Sequence, residues 1–476
     1  MANERGAKFD SIALTTEFIC GAGRDWRRLR EYHYSLIIPP DPKCLSLFAA
    51  GYDYYFCVKL TNDSNEARRI TIEARRPGRG DTQPAWQPTR VPLFVSEDFH
   101  HWYVLDEVRS TAGHEEFYAK VPLLPRQSVY VSNSLPYPSA WMKSWLEQTA
   151  ERRNDLVTLQ SLGQTVQGRD IPLLTITDPS VDDAAKDRVL VTSGFHPAEP
   201  DWLASITIIE TLLGDDAWAA QLRQEFIVDI VPQVNPDGYD LGTNASNANG
   251  INMYWDFRRD DMATSPEAVY LWRWIESHPP SLYIDFHAYV YQLHKGFRPY
   301  IRPKADYPRP ARPVVRAIDK ALIALCEGRS VVGSSTNDWR TLAAQMTAAF
   351  GTITYPKFHL HLNHGVSACR ELGLDVFRVI VEGARAYRPL HPKTIGADRP
   401  RGLANQLLRW LEQGHLPLKA RRGWRRLANF LGIQSPFSQD VSSALYSGLA
   451  PHWRKHFWSQ REQVEPVIVI GELGIR

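Results

Sequence analysis

Residues 188–213 read RVLVTSGFHPAEPDWLASITIIETLL. The opening run, RVLVTSG, is short, apolar and β-branched, as a buried strand requires, while the apolar residues from Asp201 onward recur with helical spacing. The turn between them carries His196 and Glu199. A His and a Glu three positions apart can face one point when a turn joins a strand end to a helix, which makes half of a metal site. Taken alone, the pair reads more readily as a solvated histidine with an acid in the first helical turn, where the helix dipole favours it.

The same alternation continues outward. FIVDIVPQVN (226–235) and SLYIDFH (281–287) are further strand-like runs, and SPEAVYLWRWIESH (265–278) carries helical spacing. Buried strands alternating with amphipathic helices predict an α/β domain with a mixed, mostly parallel sheet flanked by helices. Ligands in such sheets bind beyond the carboxyl ends of strands, so His196, Asn235 and His287 are expected to converge on one crevice.

Upstream the pattern differs. YDYYFCVKL, RRITIEA, HEEFYAKV and QSVYVSNS are short β-branched and aromatic runs between polar turns, which predicts an N-terminal antiparallel β-sandwich over residues 1–135. PGRGDTQPAWQPTR (77–90) reads as a loop, and SLPYPSAW (134–141) as a hinge into the α/β domain of residues 136–392. Residues 393–476 form an extension with a helical pair, the basic cluster KARRGWRR and a strand-like EPVIVIGELGIR.

Composition limits the function. With 55 basic and 53 acidic residues, the formal charge of +2 gives no general reason to expect a nucleic-acid partner. The five cysteines, Cys20, Cys44, Cys57, Cys326 and Cys369, are scattered, odd in number and free of CxxC spacing, which suits a reducing compartment. No run approaches eighteen apolar residues and the N-terminus lacks a signal-peptide pattern, so a cytoplasmic protein with no membrane association is expected.

The order His-x-x-Glu, then NPDG, then a strand ending in Asp-x-His resembles the zinc metallocarboxypeptidase family, and in particular the cytosolic carboxypeptidases, which carry a β-sandwich ahead of the catalytic domain. SLGQTVQGRDIPLLTIT, GFHPAEP, NPDGYDLG, YIDFHAY and GSSTNDW carry the resemblance, over roughly residues 137 to 392. It implies a Zn2+ cofactor held by His196, Glu199 and His287. Two imidazoles and one carboxylate leave a coordination position open for water.

The sequence departs from the family at the groups that act on substrate. The family's general-base glutamate falls on Thr354 or Pro356, and no Asp or Glu lies between Asp338 and Glu371. Its carboxylate-binding Asn and Arg fall on Tyr254 and Trp255, a second arginine on Ala245, and the acid that orients the first zinc histidine on Asn252. Replacements are available nearby. Lys357, His359 and His361, with His364 just beyond, follow the strand that would carry the base, and an imidazole can move protons near neutral pH. Tyr254, Trp255, Arg258 and Arg259 are the candidate substrate-binding residues, although WDFRRDD reads somewhat more readily as a solvated loop than as a clamp for an acidic group. Glu371 is expected on a helix surface. The expectation is a divergent zinc-dependent hydrolase acting on an amide or related bond of a small metabolite or modified peptide. The alternative is a non-catalytic relative that binds a small-molecule or peptide ligand in the same cleft.

Overall fold

A computed structural model describes residues 5–41, 52–77, 84–89, 91–113, 115–289, 300–301, 307–325, 332–333, 340–362, 365–390 and 468–469. The N-terminal part forms two sheets. One runs Gly6–Phe9, Ile12–Thr15, Cys57–Asn62, Ser128–Ser132, Phe94–Ser96 and His101–Val104, all antiparallel. The other runs Arg24–Arg30, His33–Ile37, Arg68–Arg75, Phe117–Leu123, Val108–Ser110 and Gln87–Pro88. Buried residues alternate with half-buried or exposed ones along Phe117–Leu123, as the two-residue period of a strand dictates. Leu14, Val58 and Val131 of the first sheet share one apolar cluster with Ile72, Phe117 and Val121 of the second.

One pairing departs from the antiparallel expectation. His33–Ile37 and Arg68–Arg75 are parallel, because the chain passes through Cys57–Asn62 of the other sheet between them and so re-enters from the same end. Gln87–Pro88 adds a short edge strand to the stretch read as a loop. The extension lies outside the described residues apart from Ile468–Val469, which pair antiparallel with His101–Trp102 at an edge of the first sheet.

The second domain is built on a six-stranded sheet in the order Val157–Gln164, Asp170–Ile176, Phe226–Val231, Asp187–Thr192, Leu282–Tyr289, Ile353–His361. The first two pairings are antiparallel and the other three parallel, so the sheet is mixed and mostly parallel. Every residue of Phe226–Val231 is buried, as expected for a strand covered on both faces. Val189 and Val191 point to one face, under the helices Trp202–Leu212 and Val366–Arg385. Leu190 points to the other, with Leu271 and Trp272 of the helix Pro266–Ser277. The two helices on the first face approach closely. A Cβ on Gly373 would lie 2.5 Å from the Ala204 Cβ.

The expected hinge is a packed joint. Ser134, Leu135 and Tyr137 are buried, and the Tyr137 ring lies 4.4 Å from Trp202. The docking is specific as well as apolar. Asn244 accepts the backbone N–H groups of Tyr54 (2.9 Å) and Tyr55 (2.8 Å) and donates to the Pro39 carbonyl (3.0 Å). Asp41 accepts the N–H groups of Asn244 (2.6 Å) and Ala245 (2.9 Å). At Gly242, which caps the helix Pro236–Leu241 with φ 66°, a Cβ would stand 2.7 Å from the Gly21 carbonyl oxygen, so a side chain there would wedge the domains apart.

Two sequence-distant helices are tied by Arg385, whose Nε and Nη2 donate to the Glu225 carboxylate at 2.6 and 2.7 Å. The hydrogen bond from Arg385 holds the Glu225 carboxyl below its ordinary range against a smaller opposing effect of burial. A depressed folded-state pKa contributes stability above the unfolded value, and that stability is lost as pH falls through the folded one. Glu225→Gln is therefore expected to lower the unfolding free energy by roughly 1 kcal/mol at about pH 7, with the deficit shrinking at about pH 3.5. Urea denaturation at the two pH values checks this. An equal deficit at both would refute it.

Candidate metal centre

His196 follows the strand Asp187–Thr192, Glu199 ends the turn before the helix Trp202–Leu212, and His287 lies near the end of Leu282–Tyr289. These two strands are parallel neighbours, with Thr192 in register with Asp285. Their carboxyl ends therefore open at the same edge of the sheet. The turn holds its shape through Gly194, at φ 74°, where a Cβ would come within 2.9 Å of the Gln233 Cα. The Gly194 N–H donates to both carboxyl oxygens of Asp201, at 3.1 and 3.0 Å, and burial pushes the Asp201 carboxyl well up from the ordinary range.

The three residues meet. Their ligand atoms lie within 4.8 Å of one another, and all three side chains are buried. Each imidazole presents Nδ1 to a different oxygen of Glu199, His196 to Oε1 at 2.9 Å and His287 to Oε2 at 2.9 Å. The Ala288 N–H donates to Oε2 at 2.9 Å, and the Tyr54 hydroxyl reaches Oε1 at 3.5 Å. The far ring nitrogens are engaged elsewhere: His196 Nε2 stands 3.2 Å from Asn252 Oδ1, and His287 Nε2 stands 3.0 Å from Asp285 Oδ2. Asp285 is oriented in turn by the Thr192 hydroxyl at 2.7 Å.

This arrangement fits zinc on chemical grounds. A proton held at Nε2 by an outer oxygen acceptor leaves Nδ1 with a lone pair directed inward, beside a carboxylate. Without a cation the three groups satisfy one another as an ion pair. Burial alone would lower the His287 pKa, but the carboxylates of Asp285 and Glu199 outweigh it and raise it to about 9. Burial would likewise raise Glu199, and the positive charges of His287 and His196 instead hold it well below the carboxylate range.

Aromatic rings surround the group. Tyr254 lies 4.6 Å from His287 and 5.7 Å from His196, both edge-on, and Trp255 lies 4.7 Å from Tyr254. From the N-terminal domain, the Tyr52 ring lies 5.5 Å from His196. Of the residues expected to bind substrate, the structure thus brings Tyr254 and Trp255 to the site. It takes the two arginines elsewhere. Arg258 is held by Asp256 (2.9 Å), Asp261 and Thr264, and the Arg259 guanidinium lies 4.5 Å over the Trp272 ring. Arg258 is thus paired within its own loop and Arg259 lies against a ring.

The strand Ile353–His361 runs beside Leu282–Tyr289 with His359 in register with His287 and His361 with Tyr289. The register shifts between Ile284 and Phe286, opposite Tyr355 and Phe358, which puts Pro356 and Lys357 in the irregularity. Proline brings no N–H to a ladder, so it is tolerated there. The side chains of Lys357, His359 and His361, and all of His364, lie outside the described residues. Thr354 is buried and its carbonyl accepts the Tyr307 hydroxyl at 2.8 Å. Glu371 is exposed on its helix, as expected.

Sequence reasoning left out Tyr52, Tyr54 and Asp201, and gave Asp285 no role. Asp285 was within reach, since residues two apart in a strand share a face. The tyrosines were not, because nothing local relates residue 52 to residue 196.

Residues 142–355 match the zinc carboxypeptidase family, peptidase M14. Human cytosolic carboxypeptidase 6 is 26% identical over 250 residues, 48% of this chain and 46% of the relative. The Caenorhabditis elegans cytosolic carboxypeptidase 6 is 31% identical over 163 residues, 33% of this chain and 36% of the relative. Cytosolic carboxypeptidase 2 of Macaca fascicularis is 25% identical over 310 residues, 60% of this chain and 36% of the relative. The matches span about half or less of these relatives' own lengths. Among solved structures, the metallo-carboxypeptidase of Burkholderia cenocepacia shares the fold with a TM-score of 0.64 at 18% identity, over 79% of this chain and 100% of that one. The metallo-carboxypeptidase of Pseudomonas aeruginosa does so with a TM-score of 0.61 at 17% identity, over 79% and 100%.

Removing the outer partners tests their role. Asp285→Asn and Asn252→Ala are each expected to weaken zinc binding by about 10- to 100-fold, read by competition with a chromophoric chelator, while the circular dichroism spectrum stays that of the wild type. Unchanged zinc affinity in both would show that the imidazoles need no such support.

Proposed function

We propose that the protein is a zinc-dependent hydrolase that uses His196, Glu199 and His287 as metal ligands and cleaves an amide or related bond of a small metabolite or modified peptide. The observation that carries this reading is the inward turn of both Nδ1 atoms onto one carboxylate, with both Nε2 atoms held from behind. When bound, zinc supplies Lewis acidity, which acidifies water and polarises an acyl oxygen. Asn252 and Asp285 fix the imidazoles, and the surrounding rings exclude bulk water and leave the reacting carbonyl in a site of low polarity. A proton carrier is still required, and His359, in register with His287, is its leading source, with His361 and Lys357 next.

Substrate recognition follows from what replaces the family's carboxylate clamp. Tyr254 and Trp255 offer packing surface and no charge for a C-terminal carboxylate, so ordinary carboxypeptidase action is not proposed. No helix among the described residues is long and apolar enough to cross a membrane. The names of the curated relatives support a cytoplasmic setting.

A second reading is favoured by Thr354, which has neither charge nor a free carbonyl to offer where the family has its base. In that reading the cleft binds a ligand and turns nothing over.

The purified protein is expected to hold close to one zinc per chain, and the double variant His196→Ala, His287→Ala to hold none, by elemental analysis. Zinc retained in the double variant would place the metal elsewhere. Generic peptides are expected to lose their terminal residue at least about a hundredfold more slowly than a standard carboxypeptidase releases it, since a missing positioned base or clamp costs about that factor. Fast trimming would overturn the proposed specificity. Given a substrate, His359→Gln is expected to lower single-turnover rates without loss of zinc, and wild-type rates in His359→Gln, His361→Gln and Lys357→Met alike would move the proton carrier out of this segment.

A further inference from the structure

The first N-terminal sheet reaches one of its edges at the strand His101–Val104, which pairs on its inner side with Phe94–Ser96. The Leu105 N–H donates to the Leu93 carbonyl at 2.8 Å, so the backbone groups of Tyr103 and Leu105 face that inner neighbour and those of Trp102 and Val104 face outward. Residues 99–105 read FHHWYVL and hold no Lys, Arg, Asp, Glu or Pro. An edge strand without charge or proline is a ready template for another strand. This one is also held in place. Trp102 is fully buried with its Nε1 donating to the Phe99 carbonyl at 3.0 Å, and the His100 ring stacks at 4.2 Å on Trp141 of the helix Ser139–Arg152.

Ile468 and Val469 lie opposite Trp102 and His101 on that edge. Ile468 thus meets the residue whose N–H and C=O point outward, as an antiparallel ladder requires. Both belong to VIVI (467–470), four β-branched residues in a row that invite pairing with other chains if left uncovered. The α/β domain itself is tied off elsewhere. Arg388 Nε and the Leu390 N–H each donate to the Asp187 carboxylate at 2.9 Å, where the strand Asp187–Thr192 begins. From these observations we propose that the C-terminal segment covers the sheet edge of its own N-terminal domain, and that this edge is a strand-pairing surface open to another β-strand only when the segment is released. Residues 391–467 are the tether. Doubling the length of a tether lowers the effective concentration at its end only about threefold, so a chain's own segment outcompetes that of a second copy at about micromolar protein. The pairing is independent of the metal reading.

Hydrogen–deuterium exchange read by mass spectrometry tests this at peptides spanning Trp102. In a chain ending at Val464 these peptides are expected to exchange at least about tenfold faster than in the full chain, while Ser128–Ser132, inside the same sheet, exchanges as before. The full-length Ile468→Pro variant, which has no N–H to set against Trp102, is expected to behave like the shortened chain and serves if that chain does not fold. Ile468→Val is expected to keep the wild-type protection. A synthetic peptide of residues 465–476 added to the chain ending at Val464 is expected to restore protection, and a scrambled peptide of the same composition is not. Unchanged exchange at Trp102 in both the shortened chain and Ile468→Pro overturns the pairing, as does equal restoration by the scrambled peptide. Protection that the full chain loses on dilution overturns the cover within one chain, because the segment then comes from a second copy.

Discussion

A buried carboxylate must find cations or donors to replace its hydration, and in this protein Glu199 finds two imidazoles. Burying that group would cost several kcal/mol if either histidine were missing, because a lone charge in the interior has nothing to replace its hydration. The requirement propagates outward. Each imidazole needs an acceptor behind it, Asn252 or Asp285, and Asp285 needs Thr192. The strand ends must therefore lie in fixed register, which the parallel pairing of Asp187–Thr192 with Leu282–Tyr289 supplies.

The same demand for closure explains how the two domains join. Asn244 precedes Asn252 on the same loop, and its side chain is committed to the backbone of Tyr54, Tyr55 and Pro39. Ser134 donates to the Ala198 carbonyl at 2.7 Å, next to Glu199 itself. The N-terminal sheets thus serve as one wall of the centre. Tyr54 approaches Glu199, and Tyr52 approaches His196. The joint between the domains is buried for the same reason. A mobile connector there would let water reach a charged group whose pairing depends on its absence.

Two kinds of side chain stand where the sequence departs from the zinc carboxypeptidase pattern it resembles. Asn252 keeps the geometry of an acceptor behind His196 while giving up its charge. Tyr254 changes the chemistry, putting an aromatic ring against both histidines, and Trp255 packs against Tyr254. The loop arginines show the limit of reading charge from sequence. Arg258 and Arg259 stand three and four positions beyond Trp255, yet Asp256, Asp261 and the Trp272 ring take up their guanidinium groups. A cation in a loop with nearby carboxylates is satisfied locally unless the backbone turns it away.

Much of the α/β domain was legible from residues 188 to 287, because buried strands and amphipathic helices announce themselves by local periodicity, and the order of His196, Glu199 and His287 followed from those strand ends. Asp285 was legible too, since a two-residue period puts it on the face of His287. Local pattern cannot report a contact between residues far apart in the chain. The parallel pairing of His33–Ile37 with Arg68–Arg75 depends on a crossover through another sheet. The approach of Tyr52 and Tyr54 to the histidines depends on how two domains dock, and the diversion of Arg258 and Arg259 on how one loop folds back. The sequence by itself determined which elements form and which side chains stand at their ends. The tertiary structure decided which of those side chains meet, because that is set by how surfaces far apart in the chain pack and how each loop folds back, neither of which local periodicity encodes.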